Sequence, residues 1–137
     1  MGEATRPIPI PDETTKTFWD GTVKHELLIP KCKDCGKFHF YPRPFCPHCF
    51  SNNLEYVKSS GKGKIYSYAI QQRPTVPGID APFITALVTL DDAGVRLMTN
   101  IIGIDPDPQK VKVDMAVEVT WLDINEEVAL PLFKPAS

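Results

Sequence analysis

Cysteine is scarce and confined to one stretch: the 137 residues hold four, Cys32, Cys35, Cys46 and Cys49, and none elsewhere. If those four share one task, no thiol remains as a free nucleophile. Histidine is sparse as well, at three residues, His25, His39 and His48, which thins the inventory for covalent and acid–base chemistry. The G-x-S-x-G elbow of serine hydrolases is missing. No apolar run reaches the roughly 18 residues of a spanning helix, and none follows Met1 as a leader would. The expected setting is therefore soluble and cytoplasmic, with no membrane partner. A strong surplus of either charge sign is also absent, the net charge being −2.

What is present is a pair of C-x-x-C turns separated by ten residues. Two thiolates three positions apart can point into one tight turn and offer half of a tetrahedral shell, and a second turn completes it. Gly36 follows the first pair and Pro47 sits inside the second, which supplies the turn chemistry of a knuckle. The reading is a metal site with ligands Cys32, Cys35, Cys46 and Cys49. Zinc is its first occupant, a single iron the competitor, and two disulfides the alternative in an oxidising compartment. His39 and His48 are left out because four sulfurs fill the shell. A closed tetrathiolate shell has no open position for substrate, so the site reads as structural and the chain as non-catalytic.

The charge is uneven. Residues 1–64 carry ten Lys/Arg against seven Asp/Glu, and residues 65–137 carry five against ten. The basic surplus gathers around the cysteines, in Lys31, Lys33, Lys37, Arg43, Lys58, Lys62 and Lys64.

Along the chain, Pro7, Pro9 and Pro11 make residues 1–11 an extended arm, with Ile8 and Ile10 apolar enough to lie on a surface. Asp12 can cap a helix running to about residue 26, with Phe18, Trp19, Val23 and Leu27 on one stripe and Gly21 as a weak point. That stripe needs cover, which makes Trp19 a candidate interface residue. Segments 27–31 and 38–41 read as strands around the first knuckle. From residue 54 the periodicity is that of six short strands, over 54–58, 64–72, 83–90, 95–102, 117–122 and 128–133. Asp91-Asp92-Ala93-Gly94 marks a hairpin, Asp105-Pro106 opens a helical turn to about Lys110, and Trp121 alternates with Val117 and Val119 toward the core. The predicted fold is mainly β: an N-terminal arm and helix over 1–26, a rubredoxin-like zinc ribbon over 27–53, and an OB-fold β-barrel over 54–137.

These features in order resemble the zinc-ribbon/OB-fold proteins of the domain-of-unknown-function-35 group. The likeness runs from about Phe18 to Pro135. It rests on Phe18-Trp19, Cys32-Lys33-Asp34-Cys35-Gly36, Tyr41-Pro42-Arg43-Pro44 before Cys46-Pro47-His48-Cys49, Gly61-Lys62-Gly63, and Ala81-Pro82-Phe83 before a strand. The resemblance implies a small subunit of a hetero-oligomer that pairs with a thiolase-fold enzyme and helps to position or complete its acyl-CoA site. The chain is expected to stand without the fused hydratase-type segment of some relatives, an expectation that favours a thiolase partner; aldolase or hydratase partners are the alternative. Candidate contacts with the partner or with coenzyme A are Trp19, Phe40, Arg43, Phe45 and Arg73, the last in a proline-rich loop over 71–82. Arg43 suits phosphate through its planar fork, whereas Phe40 and Phe45 are expected to pack the ribbon against the barrel before they touch a ligand. The reading from another class is a single-stranded nucleic-acid module stacking bases on Tyr66 and Tyr68. The acidic second half argues against it, so no nucleic acid is expected.

Overall fold

A computed structural model describes residues 7–136. Residues 1–6, the first half of the expected arm, lie outside the described residues. The element order is α1 (Lys16–Val23), β1 (Leu28–Cys32), β2 (Leu54–Lys58), β3 (Lys62–Gln71), β4 (Phe83–Leu90), β5 (Arg96–Ile101), β6 (Ala116–Asp123) and β7 (Ala129–Pro135).

Asp12 does not cap α1, whose N-cap is Thr15 without a side-chain cap bond, but it organises the turn that leads into the helix. One carboxylate oxygen accepts the N–H groups of Thr14 and Thr15, each at 2.9 Å, and the Thr15 hydroxyl accepts the Asp12 N–H in return. These bonds, the Thr15 N–H first, hold the Asp12 carboxyl below its usual range. The helix ends at Val23, three residues short of expectation. His25 adopts φ 61°, and its N–H bonds back to Thr22 O at 2.9 Å, which closes the turn.

The ribbon is a two-stranded antiparallel sheet in which Leu28 pairs with Lys58 and Cys32 with Leu54. This is where the strand reading needs correction: 54–58 returns to β1 instead of opening the barrel. The strand expected over 38–41 reduces to one bridge between Lys31 and Phe38. The barrel closes with five strands in the order β3-β4-β5-β7-β6, the OB arrangement. The 91–94 hairpin forms as read, with Gly94 N–H on Leu90 O at 2.9 Å, and a single turn closed by Lys110 N–H on Asp107 O (2.8 Å) joins β5 to β6.

Phe133, Ile65, Ile84, Leu90 and Leu97 fill the barrel, and Leu27 and Ile29 continue the same core beneath the ribbon. Fully burying such a side chain contributes about 1.5–3 kcal/mol. Phe18 is buried in that core, so the helix is covered largely by its own chain and is not an outrigger. Gly21 permits the approach: a Cβ there would lie 2.7 Å from Leu28 Cδ1. Thr22 secures the opposite face. Its buried hydroxyl donates to Trp19 O at 2.7 Å and accepts the Ala129 N–H at 3.1 Å. Trp121 is half-buried against the core and stacks on His25, which bonds Asp123 at 2.7 Å.

The segment joining ribbon to barrel is clasped by Asp92. Its carboxylate accepts the Ser59 hydroxyl at 2.9 Å, the Ser60 N–H at 2.7 Å and the Ala93 N–H at 2.8 Å. Gly61 follows with φ +78°, against Val119 of β6.

Candidate functional site

The four cysteines converge as their spacing requires. Cys32 ends β1 and Cys46 opens the second knuckle, both buried, while Cys35 and Cys49 are exposed. All four sulfurs lie within 4.8 Å of one another. Cys32 Sγ is 3.5 Å from Cys49 Sγ, and Cys35 Sγ is 3.7 Å from Cys46 Sγ. A tetrahedral metal with sulfur ligands at about 2.3 Å sets its sulfurs about 3.8 Å apart, whereas a disulfide needs about 2.05 Å. The separations fit a shared metal, and both pairs span the two knuckles.

Backbone N–H groups stabilise the thiolates: Cys35 N–H points to Cys32 Sγ at 3.4 Å, and His48 N–H to Cys46 Sγ at 3.3 Å. The Cys35 N–H leads in pulling the Cys32 thiol down to about 7. Cys49 is pushed up to about 12: the Ser51 N–H opposes the rise, and the Cys32 thiol with burial drives it. Four thiols so close cannot all ionise alone. A bound cation resolves the conflict, so the donor set fits a metal and uses every thiol of the chain. Asp34 ties the knuckles together outside the shell, accepting from the Ser51 hydroxyl and from Asn53 Nδ2 (3.2 Å).

Two concavities flank the ribbon–barrel junction. An apolar groove of about 230 Å³ is lined by α1 (Phe18, Trp19), the ribbon loop (Phe40, Tyr41, Pro42) and the facing stretches 97–100 and 130–132. It lies over the seam where β5 and β7 share only the pairing Ile101–Phe133. Thr99 Oγ1 bridges the seam to Pro131 O at 2.9 Å, and the Tyr41 hydroxyl accepts the Met98 N–H at 3.2 Å. The second concavity, about 370 Å³, carries Arg43, His39, His48 and Arg96.

The structure thus brings Trp19 and Phe40 into one groove and Arg43 into the other. Phe45 is exposed and meets Phe50 at 6.0 Å between ring centroids, so it does not pack ribbon on barrel. Arg73 is exposed in the loop after β3 and lines neither groove. Pro7 of the arm lines a further shallow groove with Val76, Phe83 and Met98, and Ile10 remains 88% exposed. Sequence reasoning weighed His39 only as a metal ligand and missed Arg96 and the 97–100 and 130–132 walls. Their alternation gave only barrel strands, and the seam depends on where β5 and β7 part.

Tyr66 and Tyr68 do not share a face. A register shift between Ile65 and Ser67 makes Tyr66 the extra residue; it sits beneath the Arg96 guanidinium at 3.7 Å, while Tyr68 packs against the core. The base-stacking pair is lost.

Two family models match in tandem: "ChsH2, rubredoxin-like zinc ribbon domain" over residues 19–55 and "ChsH2, C-terminal OB-fold domain" over 56–122. The chain belongs to the DUF35 family. A DUF35 domain-containing scaffold protein of Methanothermobacter thermautotrophicus is 35% identical over 84% of this chain and 86% of that protein. A probable enoyl-CoA hydratase alpha subunit of Thermomonospora curvata is 36% identical over 98% of this chain. The benzoylsuccinyl-CoA thiolase subunit BbsA of Geobacter metallireducens is 31% identical over 66% of this chain and 58% of that protein. Among solved structures, a DUF35 chain described as "Ltp2-ChsH2(DUF35) aldolase" superposes with a TM-score of 0.84 at 34% identity, over 95% of this chain and 100% of that one. This chain spans about two-fifths of the length of the first curated relatives, 41% of the Thermomonospora protein and 36% of a Mycobacterium tuberculosis hydratase alpha subunit. Within the DUF35 family, then, the same ribbon and barrel occur in proteins named for hydratase, aldolase and thiolase assemblies.

Proposed function

We propose that the chain is a non-catalytic, zinc-binding subunit of a cytoplasmic acyl-CoA enzyme, one that positions or completes the acyl-CoA site of a partner polypeptide. The observation that carries this is the commitment of every thiol to one closed shell. Thioester chemistry through a cysteine nucleophile has no residue here to perform it, and a four-sulfur shell offers no site for Lewis-acid activation. Zinc suits such a shell as a redox-silent tetrahedral ion. The partner supplies the nucleophile and the acid–base groups.

A thiolase-fold partner is the first reading, supported by the likeness to the benzoylsuccinyl-CoA thiolase subunit. An aldolase or hydratase partner is the second, supported by the aldolase-complex chain and the hydratase alpha subunits. Trp19 and Phe40 in the apolar groove, with the exposed Phe45 and Phe50 and Arg73 on its loop, are the contacts offered to that partner. Affinity tagging of this chain tests the proposal: a thiolase-like or aldolase-like protein should co-purify with a colourless, zinc-containing subunit. Coenzyme A-dependent cleavage by the complex selects the first reading, and coenzyme A-independent retro-aldol cleavage or hydration selects the second. Recovery of free chain alone from cells that express thiolase-like and aldolase-like enzymes contradicts both.

A further inference from the structure

The polar concavity between ribbon and barrel has an unusual charge arrangement. Arg43, His39 and His48 come from the ribbon and Arg96 from the start of β5, and no acidic residue lines the space they share. Neither arginine forms an ion pair among the described residues. Arg96 is held in place from one side, its guanidinium 3.7 Å over the Tyr66 ring and its Nε donating to Thr89 Oγ1 at 3.3 Å.

His39 supplies an independent sign of a missing partner. Its side chain is only 5% exposed, and both ring nitrogens are buried without a hydrogen-bond partner. Buried polar atoms are almost always paired, so an orphan marks a place where something else completes the arrangement. Burial, and then the charges of His48 and Arg43, hold its pKa below the usual histidine value.

We propose that this concavity binds a phosphate-bearing ligand, with Arg43 and Arg96 gripping the phosphate oxygens and His39 and His48 forming the adjoining wall. Two guanidinium forks from different elements suit a ligand with more than one phosphate, because each fork presents paired N–H groups to one tetrahedral anion. The volume of about 370 Å³ accommodates a diphosphate with part of its nucleoside. Two sources share this chemistry, the phosphates of coenzyme A and free inorganic phosphates. Naming coenzyme A rests on the acyl-CoA reading above; the phosphate chemistry rests on the groove itself.

The test is calorimetric titration of the full, metal-loaded chain with four probes: coenzyme A, adenosine 3′,5′-bisphosphate, inorganic pyrophosphate and pantetheine. Coenzyme A and the bisphosphate should bind, pantetheine should not, and raising the salt from 50 to 200 mM should weaken binding severalfold. R43A and R96A should each lower affinity about tenfold, and R43K, which keeps the charge but loses the fork, should fall between. Unchanged metal content and melting temperature in these surface variants show that the fold is intact. Binding of pyrophosphate but not coenzyme A keeps the phosphate site and removes coenzyme A from it. Failure of all three phosphate probes, equal binding by the R43A/R96A double variant, or equal binding of pantetheine overturns the proposal. Partner capture is a separate readout, so this site and the subunit reading can fail independently.

Discussion

Gly61 is the position at which the link between ribbon and barrel can be tested most sharply. It has φ +78°, and a Cβ added there would lie 2.3 Å from Val119 Cγ1 and 3.2 Å from Val119 Cβ. Its carbonyl accepts the Val119 N–H at 2.8 Å, so the backbone cannot move away without breaking that bond. For G61A the left-handed conformation costs about 1–2 kcal/mol and the overpacking about 1–3 kcal/mol, together about 2–5 kcal/mol. At this chain length a kcal/mol moves the melting temperature by about 3–5 °C, giving a drop of roughly 6–25 °C. Gly94 is the control, with φ +71° and nothing within 4 Å of the added carbon, so G94A should cost only the conformational part. V119A in the G61A background should recover about 1–3 kcal/mol of the loss, because it removes the atom that clashes. Thermal and denaturant melts of the four variants and wild type measure all of this. A G61A cost equal to that of G94A, or additive behaviour of G61A and V119A, refutes the packing argument.

Three further outcomes follow. D34A removes the brace that joins Ser51 and Asn53 to the first knuckle, and should lower metal affinity about 10-fold or more in a chelator competition. C32A removes a ligand and should unfold the ribbon, because metal binding in so small a module is folding energy, read by metal content and by circular dichroism. Asp92 carries a pH signature: burial works to raise its pKa, but the Ser60 N–H, the Ser59 hydroxyl and the Ala93 N–H lower it below the ordinary value. Its stabilisation is therefore fully present above the unfolded value near 3.9 and is lost as the pH falls through that value toward the folded one. D92N should be less stable than wild type at pH 7, and the gap should narrow only as the pH falls below about 4 in paired denaturant melts.

The metal shell was legible because its rule is local. Two C-x-x-C turns fix where sulfur goes whatever lies between them, and the knuckle residues Gly36 and Pro47 agreed with that reading. The barrel strands were legible through alternation, bounded by Gly94, Asp105 and the prolines near 74–82. The assignment of 54–58 was not, because Leu54, Tyr56 and Val57 suit either sheet, and it is the pairing with β1, from Leu28–Lys58 to Cys32–Leu54, that sends the strand back to the ribbon. Helix length was obscured because His25 at φ 61° is not a residue whose type announces a left-handed stop. Phe45 and Tyr66 show the other limit: an aromatic in a regular pattern reads as packing or stacking until a bulge or a knuckle turns it to solvent. The basic groove was half visible, since Arg43 stood out in the ribbon, whereas Arg96 comes from a strand over fifty residues away.

The most direct measurement of the central claim is turnover of an acyl-CoA substrate by this chain alone, by its co-purified partner alone, and by the two recombined with zinc in the ribbon. The chain alone should show no activity, and full activity should appear only when the partner is present with it. Steady turnover by the isolated chain contradicts the claim.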